Sequence, residues 1–234
     1  MQNAAILLTN YLRPNSILKQ LNTFIAVCDR FDVYIIDNAP RESNLRSQIR
    51  IEDWYYYIEN GANLGAGYRF LLSNGLPHHF FIAIDDDIFL TIDQLMLLYG
   101  ALLADPRRVH GIWGQTIDLT AEVARLRSGG IRKYSAHVHV IQRVYAYTPS
   151  ISFRSVCIAR EVGFDAWQDI GPTDDILLSA ASFEAPMCHP LDELSVCETS
   201  DTVGIAQWKA DGFIARRDRL VGKLLELGCF GWRD

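Results

Sequence analysis

The chain opens on a repeating pattern of short apolar runs separated by amphipathic stretches. Ala4 to Leu8 is an unbroken apolar run closed by Thr9-Asn10, the pattern of a strand buried on both faces. Pro14 follows, Asn15-Ser16 can cap a helix, and Ile17, Leu18, Leu21, Phe24, Ile25 and Cys28 recur at helical spacing. Val33 to Ile36 predicts a second strand, stopped by the turn chemistry of Asp37-Asn38-Ala39-Pro40. Trp54 to Ile58 predicts a third strand. Gly61 to Gly67 is glycine-rich and leads into a helix through Arg69, Phe70 and Leu71. Phe80 to Ile84 predicts a fourth strand, ending in Asp85-Asp86-Asp87.

Strands alternating with helices indicate βαβ units and an α/β fold with a mainly parallel central sheet. Such sheets bind ligands beyond the carboxyl ends of their strands. Thr9-Asn10, Asp37-Asn38, Asn63 and Asp85 to Asp87 all follow predicted strands, so the first half reads as a nucleotide-binding layer. The second half changes character. Residues 91 to 104 predict an apolar-faced helix and Val109 to Trp113 a strand. Residues 118 to 135 are loop-rich, and Ala136 to Tyr147 alternates as an antiparallel strand does. Asp174 to Phe183 reads as helical, 184 to 212 as irregular, and a last helix is expected over about Phe213 to Gly228. No repeat or linker interrupts the chain. One domain over 1–234 is expected, its halves dividing near residues 90 and 91.

Charge narrows the function. The 234 residues carry 28 acids and 22 Lys or Arg, for a net charge of −6. That balance argues against a nucleic-acid partner and against a polybasic membrane helix. No apolar run is long enough to span a membrane, and the N-terminal stretch lacks the basic segment of a signal peptide. The five cysteines are odd in number and form no CxxC pair. Reduced thiols and a cytoplasmic location are therefore expected, not a disulfide frame or zinc site.

The chemistry concentrates at Asp85-Asp86-Asp87. Adjacent carboxylates repel one another and persist best where a cation neutralises them. In an extended segment Asp85 and Asp87 point to one side, where they could hold Mn²⁺ or Mg²⁺ and through it a diphosphate. A dehydrogenase would need GxGxxG at the first strand–helix turn, and Thr9 to Pro14 contains no glycine. GKS and GKT are absent, so a P-loop is excluded.

Together these pieces resemble a GT-A glycosyltransferase, and within that fold the exostosin-like glycosyltransferases. Leu8 to Arg13 resembles that family's opening T-Y-x-R stretch, and Ala83 to Ile88 its V-D-D-D strand end. Asp105 to Gly111 resembles its P-D-x-I-V-G-F segment, Thr173 to Ile176 its C-E/D-D-I motif, and Phe213 to Leu224 its R-x-x-C-I-N-K-L helix. The order agrees over most of the chain. The loop at 118 to 135 and the R-L-V-G-K of the last helix depart from it.

The resemblance implies a metal-dependent enzyme using a UDP-sugar, with UDP-N-acetylhexosamine as donor. The acceptor would be a hydroxyl of a glycan or lipid-linked molecule, glycosylated with retention. A peripheral membrane contact stays open. The first half would hold the nucleotide sugar and the second the acceptor. Thr9, Tyr11 and Arg13 would line the uracil and phosphate pocket, Asp37 or Asn38 would meet base or ribose, and Asn63 would approach the base. Arg69 would meet the diphosphate or sugar, and Asp85 and Asp86 the ribose or donor sugar. Asp87, with Asp85, would be the metal ligand, and His189 a candidate for completing the metal site. Asp174 and Asp175 would stand at the anomeric carbon, and Arg217 would stabilise the leaving diphosphate, with Arg216 as the fallback.

Other readings stand beside these. An inverting family 2-like transferase would use a carboxylate at 174–175 as general base. A nucleotidyltransferase would show G-x-G-T-R near the first strand, which is missing. A non-catalytic sugar-binding relic would not need Asp85, Asp87 and Asp175 together. His137 and His139 share a strand face without a visible third ligand, and Trp167 and Trp208 could stack on a sugar or fill the core.

Overall fold

The computed structural model describes residues 3–50, 54–120, 124–128, 134–163, 173–191, 195–196, 209 and 211–232. Trp167, Trp208 and Cys197 lie outside them. Strands β1 (Ala4–Asn10), β2 (Phe31–Asp37), β3 (Tyr55–Glu59) and β4 (Phe80–Asp85) form a parallel layer in the order β3-β2-β1-β4. β1 lies between two neighbours and all seven of its residues are buried, which is why it reads as an unbroken apolar run. Thr9 pairs with Ile36 on β2 and with Asp85 on β4, so these carboxyl ends share one level.

Further along come β5 (Ile88–Phe89), β6 (His110–Asp118), β7 (Arg125–Ser128), β8 (Ala136–His137), β9 (Val140–Tyr147), β10 (Met187–Cys188) and β11 (Ser195–Val196). β9 inserts antiparallel between β4 and β6, β7 folds back on β6, and β10 runs parallel to β6 before β8 closes the edge. The sheet is therefore mixed, with the expected parallel layer extended by antiparallel strands. Only its first four strands are joined by crossovers, and the six-residue link from β6 to β7 permits an antiparallel ladder instead. β7 also replaces part of the loop expected over 118 to 135.

Seven helices cover the sheet among the described residues: α1 (Pro14–Phe24), the single turn α2 (Pro40–Ser43), α3 (Tyr68–Ser73), α4 (Ile92–Ala104), α5 (Pro149–Glu161), α6 (Asp174–Ala180) and α7 (Phe213–Glu226). Alternation along β1 splits the core in two. Ala5 and Leu7 pack with Phe70, Ile151, Ile176 and Leu220 under α3, α5, α6 and α7. Ala4, Ile6 and Leu8 pack with Ile17, Leu21, Leu95 and Leu98 under α1 and α4. α5 has Pro149 in its first turn but no side-chain cap, and its sequence does not announce it. Cys28, Cys157 and Cys229 are free thiols. Among the described residues no helix is long and apolar enough to cross a membrane.

Where β6 meets β9 the ladder slips between Gly111 and Ile112. Trp113 and Val144 flank that slip with φ of 56° and 48°. A β-branched residue at positive φ is a genuine outlier. A Cβ on Gly111 would fall 2.1 Å from the Val144 carbonyl oxygen and 2.4 Å from Ile141 Cγ2, so only glycine fits the crossing.

Candidate active site

The carboxyl ends of β1 and β4 open onto a chain of buried ion pairs. The turn after β4 is fixed through its backbone. Gln20, from α1, donates its amide to the carbonyls of Asp85 (3.0 Å) and Ile88 (2.6 Å). Each acid of the triplet then has its own arginine. Arg69, from α3, donates to Asp85 at 2.5 Å and, through its other terminal nitrogen, to Asp174 at 3.2 Å. Arg13 bonds Asp86, whose second oxygen accepts the Tyr11 backbone N–H at 2.7 Å. Arg143, from β9, donates one nitrogen to both oxygens of Asp87, at 3.1 and 3.2 Å. Arg217, from α7, grips Asp175 with both terminal nitrogens at 2.7 Å and holds Gln115 of β6 at 2.9 Å.

Five carboxylates thus meet four guanidiniums in one buried cluster, where burial acts first on their ionisation and neighbouring charges second. Burial pushes Asp86 up to about 7 even though Arg13 and the Tyr11 N–H pull it down. Burial, Asp175 and Asp85 push Asp174 up to about 7 against the pull of Arg69. Burial and the neighbouring Asp85 also raise Asp87, with Arg143 opposing. At Asp85 burial opposes ionisation, but Arg69 and Arg143 outweigh it and hold the carboxyl below its ordinary range. Arg69 is 1% exposed, and its Nε has no hydrogen-bond partner among the described residues. Neither does the buried Thr9 hydroxyl at the end of β1.

The structure therefore brings together Arg13, Arg69, Asp85, Asp86, Asp87, Asp174, Asp175, Arg217 and the backbone of Tyr11. Among the described arginines of the last helix, Arg217 is the one that reaches the acids. Other predicted contacts bond to neighbouring strands and turns. Asp37 is fully buried and accepts from Asn10, the Ala39 N–H, Ser43 and Tyr57, so its oxygens tie strand ends together. Asn38 spends its amide on the Gly65 carbonyl and on Asn60. Asn63 is exposed and accepts the Gly65 N–H, shaping the turn in which Gly65 takes a φ of 74°.

His189 is not joined to the acid triplet. Its Nε2 lies 3.0 Å from His110 Nδ1 and its Nδ1 lies 3.2 Å from the Ser135 hydroxyl. His110 Nε2 must donate to the Asp105 carbonyl, so its Nδ1 accepts from His189, which accepts in turn from Ser135. Burial, with His110 beside it, holds His189 down at about 4. Both ring nitrogens are engaged within this His110–His189–Ser135 group.

A divalent cation fits the triplet in kind: carboxylate oxygens are the hard donors it prefers, and acid exceeds base in the cluster. It does not fit without exchange, because Arg143 engages both oxygens of Asp87. Among the described residues no three His, Cys, Asp or Glu are grouped to hold a metal by themselves. Arg143, Gln20 and Gln115 were not foreseen. The one available signal is Arg143 itself, the single cation of the strand VIQRVYAY.

No protein-family model and no curated protein matches the sequence. The fold does have solved counterparts. The crystal structure of S. aureus TarS 1–349 superposes with a TM-score of 0.55 at 14% identity, over 96% of this chain and 71% of that one. TarS in complex with UDP-GlcNAc gives 0.53 at 14% identity over 84% and 57%, and TarS in complex with UDP gives 0.54 at 13% over 96% and 71%. The likeness is one of fold, and it agrees with the GT-A arrangement expected from the sequence.

Proposed function

We propose that this chain is a glycosyltransferase. It would take the sugar of a UDP-sugar, a UDP-N-acetylhexosamine by resemblance, and pass it to a hydroxyl of a glycan or lipid-linked acceptor. The observation that carries this reading is the ion-pair cluster at the carboxyl ends of β1 and β4, where such sheets bind ligands. The shared fold with TarS, crystallised with UDP-GlcNAc and with UDP, supports the donor class.

Arg13 and the Thr9 hydroxyl would meet the nucleotide. Asp87, with Asp85, would hold Mn²⁺ or Mg²⁺, which supplies counter-charge to the diphosphate when bound. Negative charge grows on the leaving diphosphate during transfer, and fixed guanidiniums stabilise it best when already in place. Arg69 and Arg217 would do this. Asp174 and Asp175 would face the anomeric carbon.

The exostosin-like resemblance favours retention. The inverting alternative would use Asp174, whose carboxyl burial pushes up, as the general base for the acceptor hydroxyl. The coupling constant of the anomeric proton in the product separates the two.

The test of the donor is a thermal-shift screen of nucleotide sugars with and without Mn²⁺, since bound ligand raises stability. UDP compounds should raise the midpoint, and Asp87→Ala should remove the cation-dependent part of that rise. Shifts with CDP, GDP or dTDP compounds and none with UDP would overturn the donor class.

A further inference from the structure

Arg143 differs from Arg69 and Arg217 in how little of its donor fork it spends. Arg217 uses both terminal nitrogens on Asp175 and one of them again on Gln115. Arg69 uses both on two different acids. Arg143 places a single nitrogen between the two Asp87 oxygens, and its Nε and Nη2 make no hydrogen bond among the described residues. The geometry is that of a point charge seated on a carboxylate, the place a metal ion would take. The rest of the fork is left for an anion with several oxygens.

The seat is built. The guanidinium lies over the Trp113 ring, 5.2 Å from its centre, and its side chain is 18% exposed. Trp113 and Val144 both hold positive φ beside the slip in the β6–β9 ladder. Backbone outliers of this kind persist only where the surroundings enforce them. The buried Trp113 indole N–H also lacks a partner among the described residues.

We propose that Arg143 is a two-position residue. In the empty site it occupies Asp87 as an internal cation. When a divalent ion arrives with a nucleoside diphosphate, the ion takes Asp87 and Arg143 moves its fork to the phosphate oxygens. The inference rests on the donor reading above and assigns the residue that couples the ion to the diphosphate. Two consequences follow. Arg143 competes with the ion when no nucleotide is present, and it helps bind the diphosphate when the ion is present.

The test is equilibrium binding, independent of turnover. Mn²⁺ alone is titrated into the protein and followed by electron paramagnetic resonance. Arg143→Gln should bind Mn²⁺ about tenfold more tightly than the parent, the scale of one charge-assisted hydrogen bond, and adding Asp87→Asn should cancel the gain. With Mn²⁺ saturating, Arg143→Gln should weaken UDP about tenfold while leaving UMP within about twofold. Arg143→Lys keeps the charge and loses the fork. It should match the parent for Mn²⁺ and still weaken UDP relative to UMP, which preserves the test if the Gln variant fails to fold. Equal Mn²⁺ affinity of the parent and Arg143→Gln overturns the proposal, and so does an equal loss of UDP and UMP. A parent that binds no UDP under any condition overturns the donor reading instead, and the Mn²⁺ titration still judges Arg143.

Discussion

Arg69 shows how much one residue decides here. It comes from a six-residue helix, is buried to its last nitrogen, and neutralises Asp85 from the first half of the chain and Asp174 from the second. Its guanidinium also lies 4.9 Å from the Tyr145 ring centre. Removing one partner of a buried ion pair strands the other charge, which costs about 3–5 kcal/mol. Arg69→Leu should therefore lower the unfolding free energy by about that much in urea titration. A loss under about 1 kcal/mol would mean that the two acids simply take up protons and tolerate the change. In the sequence Arg69 stood out because it follows a glycine-rich turn after a strand. The family resemblance implied a diphosphate or sugar contact for it, whereas its bonds to Asp85 and Asp174 join two acid motifs 89 residues apart, a pairing that no local pattern contains.

At the scale of elements, the crossing of β6 and β9 orients the site. Gly111 lets the Val144 carbonyl approach, and the slip beside it sets Arg143 against Asp87. Gly111→Ala forces backbone to move, and overpacking of this kind costs about 1–3 kcal/mol. The variant should lose that stability in chemical denaturation, while Gly61→Ala, which meets nothing within 4 Å, should stay near the parent. Equal effects at the two glycines would remove the crossing from the account. The legibility of elements follows the same physics. β1, β2 and β4 are buried on both faces, so their apolar runs announced them and the acid turn after β4 was located correctly. β7 is four residues long with two arginines, so it carries no apolar run although its partner β6 lies only six residues away, while β9 and β10 depend on partners distant in sequence. α5 has neither a side-chain cap nor a strong apolar stripe, so a propensity argument has little to hold. Asp37, Asn38 and Asn63 looked like ligand contacts because polar residues at strand ends have two uses, and here their hydrogen bonds run to neighbouring strands and turns.

For the whole molecule, the division near residue 90 does not divide the core. One sheet runs through both halves, and each of its two apolar layers draws residues from both. The ion-pair chain repeats this, with Arg69 reaching from the first half to Asp174 and Arg143 reaching back to Asp87. Unfolding should then be one cooperative event. Far-ultraviolet circular dichroism and tryptophan fluorescence should trace the same urea transition. Separated midpoints would mean that the first half of the chain melts independently of the second. The net charge of −6 gains a distribution from the structure. Five of its acids lie in the cluster, where arginines already neutralise most of them, so the remaining surface carries much of the excess.

The amide of Gln20 adds a consequence for how this site can change. It grips the acid turn by the carbonyls of Asp85 and Ile88, not by any carboxylate. The contour of the turn is therefore inherited separately from its charges. A lineage could trade the acids at 85 to 87 for other side chains and keep the same loop, so selectivity has room to drift over a conserved scaffold.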